Sequence, residues 1–175
     1  MLASFTLPIR IVYVCVEADR FSYGPDMSYR YQQLCAKDVQ TLKQLLNVFG
    51  ETFGDMDAYQ SAVPRDAYLR SLLAKPHFIA LVAIASDKVV GGLAAYVLDK
   101  FEQERREIYI YDLAVQKQHR RKGIARRLIN ELRHIARDRG IYVIYVQADK
   151  VDDAAIALYE SLGRREDVFH FDIEP

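Results

Sequence analysis

Length, composition and charge limit what this chain can be. Its 175 residues suit one domain, and 51% of them are hydrophobic, which is enough to build a packed core. Lys plus Arg and Asp plus Glu each number 24, so the formal net charge of zero provides no global attraction to nucleic acid or to a membrane. Two cysteines without a pairing pattern and four scattered histidines predict a cytoplasmic protein with no disulfide framework and no metal site.

Residues 1–27 are predicted to be an N-terminal extension, either an added strand or a disordered arm. The apolar run at residues 7–16 is far too short to span a bilayer, so no membrane partner is expected. Residues 28–175 are predicted to form a single domain, because they contain no internal repeat and no low-complexity segment.

Hydrophobic periodicity and turn residues predict an alternation of strands and helices along residues 29–173. In chain order, the predicted elements are a strand at 29–36, a helix from 37 to 49, an acidic loop at 55–57, a helix at 65–74, strands at 78–84, 89–98 and 107–115, a helix at 123–138, a strand at 141–148, a helix at 152–162 and a strand at 168–173. This order predicts an α/β fold in which helices flank a central mixed, mostly antiparallel sheet.

Three cations and a glycine stand where the helix at 123–138 begins. The positive end of the helix dipole repels Arg120, Arg121 and Lys122, and a bound anion would remove this conflict. Free backbone N–H groups at a helix N-terminus, made accessible by Gly123, form a phosphate site. The stretch therefore predicts a phosphate-bearing ligand, and the alternative is a solvated basic start to the helix.

A single carboxylate, Asp112, interrupts the otherwise apolar strand at 107–115. A buried carboxylate is costly unless it has a partner. Its functional interpretation is a general base that accepts a proton from a substrate ammonium. Its structural interpretation is a carboxylate that pairs with a basic residue or caps a bulge.

Two motifs carry a resemblance to a known superfamily. Arg120, Gly123 and Ala125 have the spacing Arg-x-x-Gly-x-Ala between a predicted strand and a predicted helix. A second motif reads Ala-Ile-Ala-Leu-Tyr at residues 155–159 and is followed by Gly163. In these motifs and in its order of elements, the chain resembles the GCN5-related N-acetyltransferases. The resemblance implies their fold and the cofactor acetyl-CoA.

A closer resemblance extends over residues 38–175. It is carried by Phe-Gly at 49–50, Phe-Gly-Asp at 53–55, Gly-Leu-Ala-Ala-Tyr-Val-Leu at 92–98, Lys-Phe-Glu-Gln at 100–103, the strand at 107–115, Tyr-Val-Gln-Ala-Asp at 145–149 and His-Phe-Asp at 170–172. These segments are similar to those of the aminoglycoside 3-N-acetyltransferases, type I. The resemblance implies acetylation of the 3-amino group of a 2-deoxystreptamine antibiotic of the gentamicin class, and hence antibiotic resistance.

The resemblance also implies roles for individual residues. The loop that binds the cofactor pyrophosphate comprises Arg120, Arg121, Lys122, Gly123, Ile124 and Ala125. The backbone N–H groups of Leu113 and Val115 meet the thioester carbonyl and the pantetheine arm. Tyr159, which by its pattern alone is a core residue, protonates the leaving thiolate. Asp152 departs from the superfamily, where Asn is common, and so does Arg164, where Phe is common.

An acidic cleft is predicted for a polycationic substrate. Its candidate contacts are Glu107, Tyr111, Asp149, Asp152 and Asp153, with Asp55 and Asp57 as further carboxylates. Asp149 is favoured because it follows a buried strand, where the ligand clefts of α/β sheets open. Some of these carboxylates are expected to be ordinary surface or helix-capping groups instead. The tyrosines predicted to be packing residues are Tyr96, Tyr109, Tyr142 and Tyr145.

Other functions stay open at this point. The acceptor is alternatively a polyamine or a peptide amine, and the chain is alternatively a non-catalytic acyl-CoA-binding regulator. Retention of Asp112 and Tyr159 argues against the regulator. Nucleic-acid binding through the arginine-rich residues 126–139 is disfavoured by the neutral net charge. A homodimer is an open possibility.

Overall fold

The computed structural model of the chain describes residues 21–23 and 28–175, and these residues build one six-stranded sheet. Its strands, in spatial and chain order, are β1 Phe21–Tyr23, β2 Arg30–Gln33, β3 Phe78–Ala85, β4 Lys88–Asp99, β5 Arg106–Val115 and β6 Val143–Val146. Strands β1 to β5 pair antiparallel with their neighbours, and β6 pairs parallel with β5. The predicted mixed, mostly antiparallel sheet is confirmed.

Helices cover the two faces of this sheet. They are α1 Val39–Phe53, α2 Met56–Gln60, α3 Asp66–Leu73, α4 Ile124–Asp138 and α5 Asp153–Glu160, with a 3₁₀ turn at Lys117–His119. One core lies between the sheet and helices α1 and α3, and it includes Leu45, Phe49, Leu69 and Val82. The other lies between the opposite face and α4, and it includes Ile79, Ile108, Leu128 and Leu132.

Helix α4 follows directly from its sequence pattern. Its apolar residues recur at intervals of three and four, so they share one face of the helix. Ile124, Leu128 and Leu132 are fully buried on that face, whereas Arg126 and Arg137 are exposed. The predicted amphipathic helix is therefore confirmed. Because its apolar face is buried on the sheet, the start of the helix at Ile124 has a fixed position.

The expected N-terminal extension contributes a strand in the part that the structure describes. Strand β1 pairs with β2 through Phe21 opposite Gln32 and Tyr23 opposite Arg30. Residues 1–20 and 24–27 of that extension lie outside the described residues.

The strand predicted at 168–173 is wrong. These residues have no regular secondary structure, and their large apolar side chains, Val168, Phe169, Phe171 and Ile173, are exposed. A strand exists only when its backbone groups pair with another strand, and strand propensity alone cannot supply that partner.

The predicted acidic loop at 55–57 begins the short helix α2. The side chain of Asp55 accepts a hydrogen bond of 3.0 Å from the backbone N–H of Ala58, which caps the helix N-terminus.

A β-bulge in β5 changes the direction of its side chains. Ala94 of β4 pairs with Asp112 and Ala95 pairs with Ile110, so Tyr111 is an extra residue on β5. Ile110 therefore faces the α4 core, whereas Ala114, two positions after Asp112, belongs to the α1 core. The bulge thus turns Asp112 toward the α1 face of the sheet.

The same bulge coincides with a separation of β5 from β6. The parallel pairing of these strands ends at Ile110 and Val146, while β5 continues to Val115. Strand β6 is consequently shorter than the predicted 141–148. In the described part of the chain, residues 111–115 have no strand on their outer side.

Candidate active site

Helix α2 brings a tyrosine to Asp112. A Cβ atom at Gly50 of α1 would stand 3.1 Å from Met56 Sδ and 3.2 Å from Tyr59 Cβ, so glycine allows α2 to approach α1 closely. The ring of Tyr59 packs edge-on against Phe49, with the ring centroids 5.9 Å apart. Its hydroxyl donates a hydrogen bond of 3.0 Å to Oδ1 of Asp112.

Asp112 is a half-buried carboxylate, and no cation of the described residues neutralises its charge. Burial raises its pKa, and the hydrogen bond from Tyr59 acts in the opposite direction. Burial and the Asp112 charge raise the pKa of Tyr59, so that hydroxyl stays protonated and remains a donor. Within residues 28–175, Asp112 forms no ion pair. Such a group can accept a proton and can also attract an ammonium.

The outer edge of β5 presents backbone donors beside Asp112. The N–H of Gln116 bonds the carbonyl of Val90 in β4, so Gln116 faces β4. The carbonyl of Val115 faces the other way and accepts a hydrogen bond of 3.0 Å from Arg120 Nε. Because strand residues alternate in direction, the N–H groups of Val115 and Leu113 point to the edge from which β6 has separated.

The loop before α4 has the geometry of an anion cradle. Arg121 and Gly123 both adopt the left-handed conformation, with φ of 63° and 77°. No atom lies within 4 Å of the position that a Gly123 Cβ would occupy, and the first turn of α4 contains no acidic residue. The first N–H groups of α4, which include those of Ile124 and Ala125, have no acceptor within the helix. These residues, together with Arg120 and Lys122, fit a pyrophosphate.

Tyr159 on α5 packs against the α4 core together with Leu158 and Leu162. Burial, with a smaller contribution from the charge of Asp152, raises the pKa of Tyr159 to about 12. Among the described residues, its hydroxyl has no hydrogen-bond partner. The group is a protonated donor at neutral pH and is free to serve a ligand.

The candidate acidic residues divide by their contacts. Glu107 lies near the Lys100 and Arg105 side chains, at 3.8 and 3.6 Å, beside the turn that joins β4 to β5. Asp152 caps α5 by accepting a hydrogen bond of 3.0 Å from the N–H of Ala155. Asp149 and Asp153 are exposed. Asp149 follows β6, and Asp153 is the first residue of α5. Glu107 therefore belongs to an ion-pair group with Lys100 and Arg105, whereas Tyr111 is the direct chain neighbour of Asp112.

Tyr59 is the site residue that sequence reasoning missed. Asp55 provides a capping signal that predicts a helix turn at this point of the chain. No local signal connects Tyr59 with Asp112, because the two residues are 53 positions apart. Only the packing of α2 on α1 brings them into contact.

The chain matches a known family. Residues 42–163 match the family model described as the acetyltransferase (GNAT) family. The chain belongs to this family of acetyltransferases, which use acetyl-CoA.

Solved structures of aminoglycoside acetyltransferases resemble the chain over most of its length. One, from an uncultured soil metagenomic sample, is 54% identical with a TM-score of 0.83, and the match covers 85% of this chain and 99% of that chain. Another from an uncultured soil metagenomic sample, solved in complex with sisomicin, is 32% identical with a TM-score of 0.77, and the match covers 86% and 98% of the two chains.

A curated relative matches a shorter part. N-acetyltransferase 8 of Homo sapiens is 33% identical over 82 residues, which are 47% of this chain and 36% of that protein. The match therefore spans about a third of the relative's length.

Two further features concern the described residues only. None of their helices combines the length and the apolar character needed to cross a bilayer. They contain no group of three or more His, Cys, Asp or Glu side chains arranged to hold a metal ion.

Proposed function

We propose that this chain transfers the acetyl group of acetyl-CoA to the 3-amino group of a 2-deoxystreptamine aminoglycoside of the gentamicin class, which gives resistance to the drug. The observation that carries the proposal is Asp112, a half-buried carboxylate that pairs with no cation of the described residues and lies beside the part of β5 that extends beyond its pairing with β6. An ammonium attracted to Asp112 would lie next to the edge where the acetyl group binds. The similarity to aminoglycoside acetyltransferases, one of them in complex with sisomicin, supports this acceptor.

The cofactor site is assigned to the loop and to the edge of β5. The N–H groups at the start of α4 bind the pyrophosphate, and Arg120, Arg121 and Lys122 balance its charge. The N–H groups of Leu113 and Val115 donate to the acetyl carbonyl oxygen and so stabilise negative charge that develops on it. Acetyl-CoA, when bound, supplies an acetyl thioester that an amine can attack.

Proton transfers are assigned to two side chains. Asp112 accepts a proton from the substrate ammonium, and the Tyr59 hydrogen bond holds the carboxylate in place. The amine nitrogen would then bond to the acetyl carbon as the bond between that carbon and the cofactor sulfur breaks. The nitrogen would release its second proton to solvent, from which the Tyr159 phenolate would regain the proton that it gives to the sulfur. Tyr159 donates its proton to the leaving sulfur, since its hydroxyl is protonated at neutral pH.

Recognition of a polycation is assigned to Asp112 together with further carboxylates. Asp149 and Asp153 are exposed. Asp55 lies at the start of α2, and its charge contributes to the raised pKa of Tyr59. The proposal takes residues 28–175 as one acetyltransferase domain and residues 1–27 as an extension to it.

The test is an assay of thiol release from acetyl-CoA with different acceptors. We expect turnover with gentamicin, and kcat/KM values for spermidine and for a lysine peptide at least about tenfold lower. NMR of the product should locate the acetyl group on the 3-amino nitrogen. Asp112→Asn is the matched control, because it removes the base while keeping the size of the side chain.

Three results would contradict the proposal. A higher kcat/KM for spermidine or the peptide would identify a polyamine or protein acetyltransferase. Acetylation at another amine of gentamicin would overturn the regiochemistry alone. Binding of acetyl-CoA without turnover of any acceptor would favour the non-catalytic regulator.

A further inference from the structure

Four tyrosines from three adjacent strands form a continuous row of rings. The residues of this tyrosine row are Tyr96 of β4, Tyr109 and Tyr111 of β5, and Tyr145 of β6. Ring centroids are 6.0 Å apart for Tyr96 and Tyr111, 5.8 Å for Tyr109 and Tyr111, and 5.1 Å for the stacked pair Tyr109 and Tyr145. The register places Tyr96 opposite Tyr109 and Tyr109 opposite Tyr145, so the row runs across the strands.

The tyrosine row lies partly in solvent. Tyr111 is 64% exposed and Tyr145 is 40% exposed, although a run of contacting aromatic rings is normally buried. Tyr96 packs against the α1 core, so the row continues outward from the part of the sheet that the helices cover. A row of contacting rings that reaches solvent in this way offers aromatic surface that a ligand can cover.

A nearby tyrosine provides a contrast. Tyr142 is 68% exposed, but the guanidinium of Arg105 covers its ring at 4.3 Å from the centroid. Among the described residues, no Lys or Arg side chain lies over a ring of the tyrosine row. The exposed surfaces of Tyr111 and Tyr145 are therefore not covered by a cation of the described residues.

The charge of Asp112 makes the row part of one site. Tyr111 immediately precedes Asp112, and the Asp112 charge contributes, after burial, to the raised pKa values of Tyr96 and Tyr109. Aromatic faces and a carboxylate together suit a ligand that has a flat array of C–H groups and carries ammonium substituents. A linear polyamine has the charges but no ring face.

We propose that the tyrosine row binds one face of an aminated cyclitol or sugar ring and thereby directs a ring amine to Asp112. The proposal gives the row a binding role in addition to the packing of Tyr96 against the α1 core. It rests on the proposed function, since it identifies the surface that would select an aminoglycoside over a polyamine. Rigid tyrosine rings that are already ordered by their mutual contacts bind with little loss of conformational entropy.

The experiment measures binding by calorimetry for Tyr111→Ala, Tyr111→Phe and the matched control Tyr142→Ala. For Tyr111→Ala, we expect the Kd of gentamicin to rise by about tenfold, the loss expected when an aromatic ring no longer packs on the face of the ligand ring. The Kd values of spermidine and acetyl-CoA should change by less than about twofold. Tyr111→Phe should retain most of the gentamicin affinity, and Tyr142→Ala should match the wild type.

A spectroscopic readout locates the contact independently of affinity. The chain contains no tryptophan and 12 tyrosines, so its near-ultraviolet absorption reports tyrosine rings. Gentamicin should produce a difference spectrum with the wild type and with Tyr142→Ala, and a weaker one with Tyr111→Ala at saturation. Unchanged thermal unfolding of Tyr111→Ala, expected for an exposed side chain, confirms that the variant is folded.

The outcomes separate this proposal from the proposed function. If the wild type acetylates gentamicin and Tyr111→Ala binds it as tightly, the tyrosine row is not the drug surface. If Tyr111→Ala loses as much affinity for spermidine as for gentamicin, ring recognition is also overturned. The same holds if Tyr142→Ala loses as much gentamicin affinity as Tyr111→Ala does. If the wild type binds gentamicin through the row without acetylating it, only the proposed function fails. No gentamicin binding by the wild type overturns both.

Discussion

The hydroxyl of Tyr59 lies 3.0 Å from Oδ1 of Asp112 and donates a hydrogen bond to it. This contact joins the short helix α2 to the bulged strand β5 across the α1 face of the sheet. Since a hydrogen bond to a carboxylate favours its charged form, Tyr59 offsets part of the effect of burial on Asp112. Tyr59 is therefore a positioning residue for the proposed base.

Replacement of Tyr59 by Phe should change the pH dependence of the reaction. Loss of the hydrogen bond removes the contribution that lowers the pKa of Asp112, so that pKa rises. The acidic limb of the kcat/KM profile should then move to higher pH. At pH values on this limb, kcat/KM of the variant should be about tenfold lower than that of the wild type. The measurement is a pH–rate profile of both proteins. In an Asp112→Asn background, Tyr59→Phe should have little further effect, and additive losses would show that the two residues act separately.

Asp112→Asn tests the base itself. The amide keeps the size of the side chain but removes both the proton acceptor and the negative charge. We expect kcat/KM for gentamicin to fall by ~10²-fold or more, with nearly unchanged binding of acetyl-CoA. If the variant retains a near-wild-type kcat and the acidic limb of its profile, Asp112 is structural.

Gly123→Val tests the loop before α4. Gly123 has a φ of 77° with open space around it. A valine at this position would strain the backbone, and its side chain would occupy the space proposed for the phosphate. The Kd of acetyl-CoA should rise by about tenfold or more. Gly140 at the other end of α4 has a φ of 63° and equally open space, which makes Gly140→Val a matched control. The control should lose a similar amount of stability and keep its acetyl-CoA affinity; equal affinity losses in both variants would refute the loop assignment.

Tyr159→Phe tests the proposed acid. Its hydroxyl has no partner among the described residues, so its removal should leave Tm unchanged. We expect kcat to fall by up to ~10²–10⁴-fold. Because the pKa of Tyr159 is raised to about 12, the loss should be constant from pH 6 to 10 rather than confined to one limb. A variant as fast as the wild type would make Tyr159 a packing residue.

The sequence by itself determined the elements whose signals are local. The apolar stripe of α4 and the glycine before Ile124 need only neighbours within a turn or two, and the structure contains both. The placement of the loop at the start of α4 followed from the same signals. Local physics is sufficient there because helical hydrogen bonds connect residues four positions apart.

Only the tertiary structure decided the partners of Asp112 and the end of the sheet. The bulge at Tyr111 is a property of two paired strands, and it turns Asp112 toward Tyr59, 53 positions away. The tyrosine row likewise exists only because three strands lie in one register. The apolar residues 168–173 do not form the predicted strand, because a strand needs a neighbouring strand for its backbone hydrogen bonds.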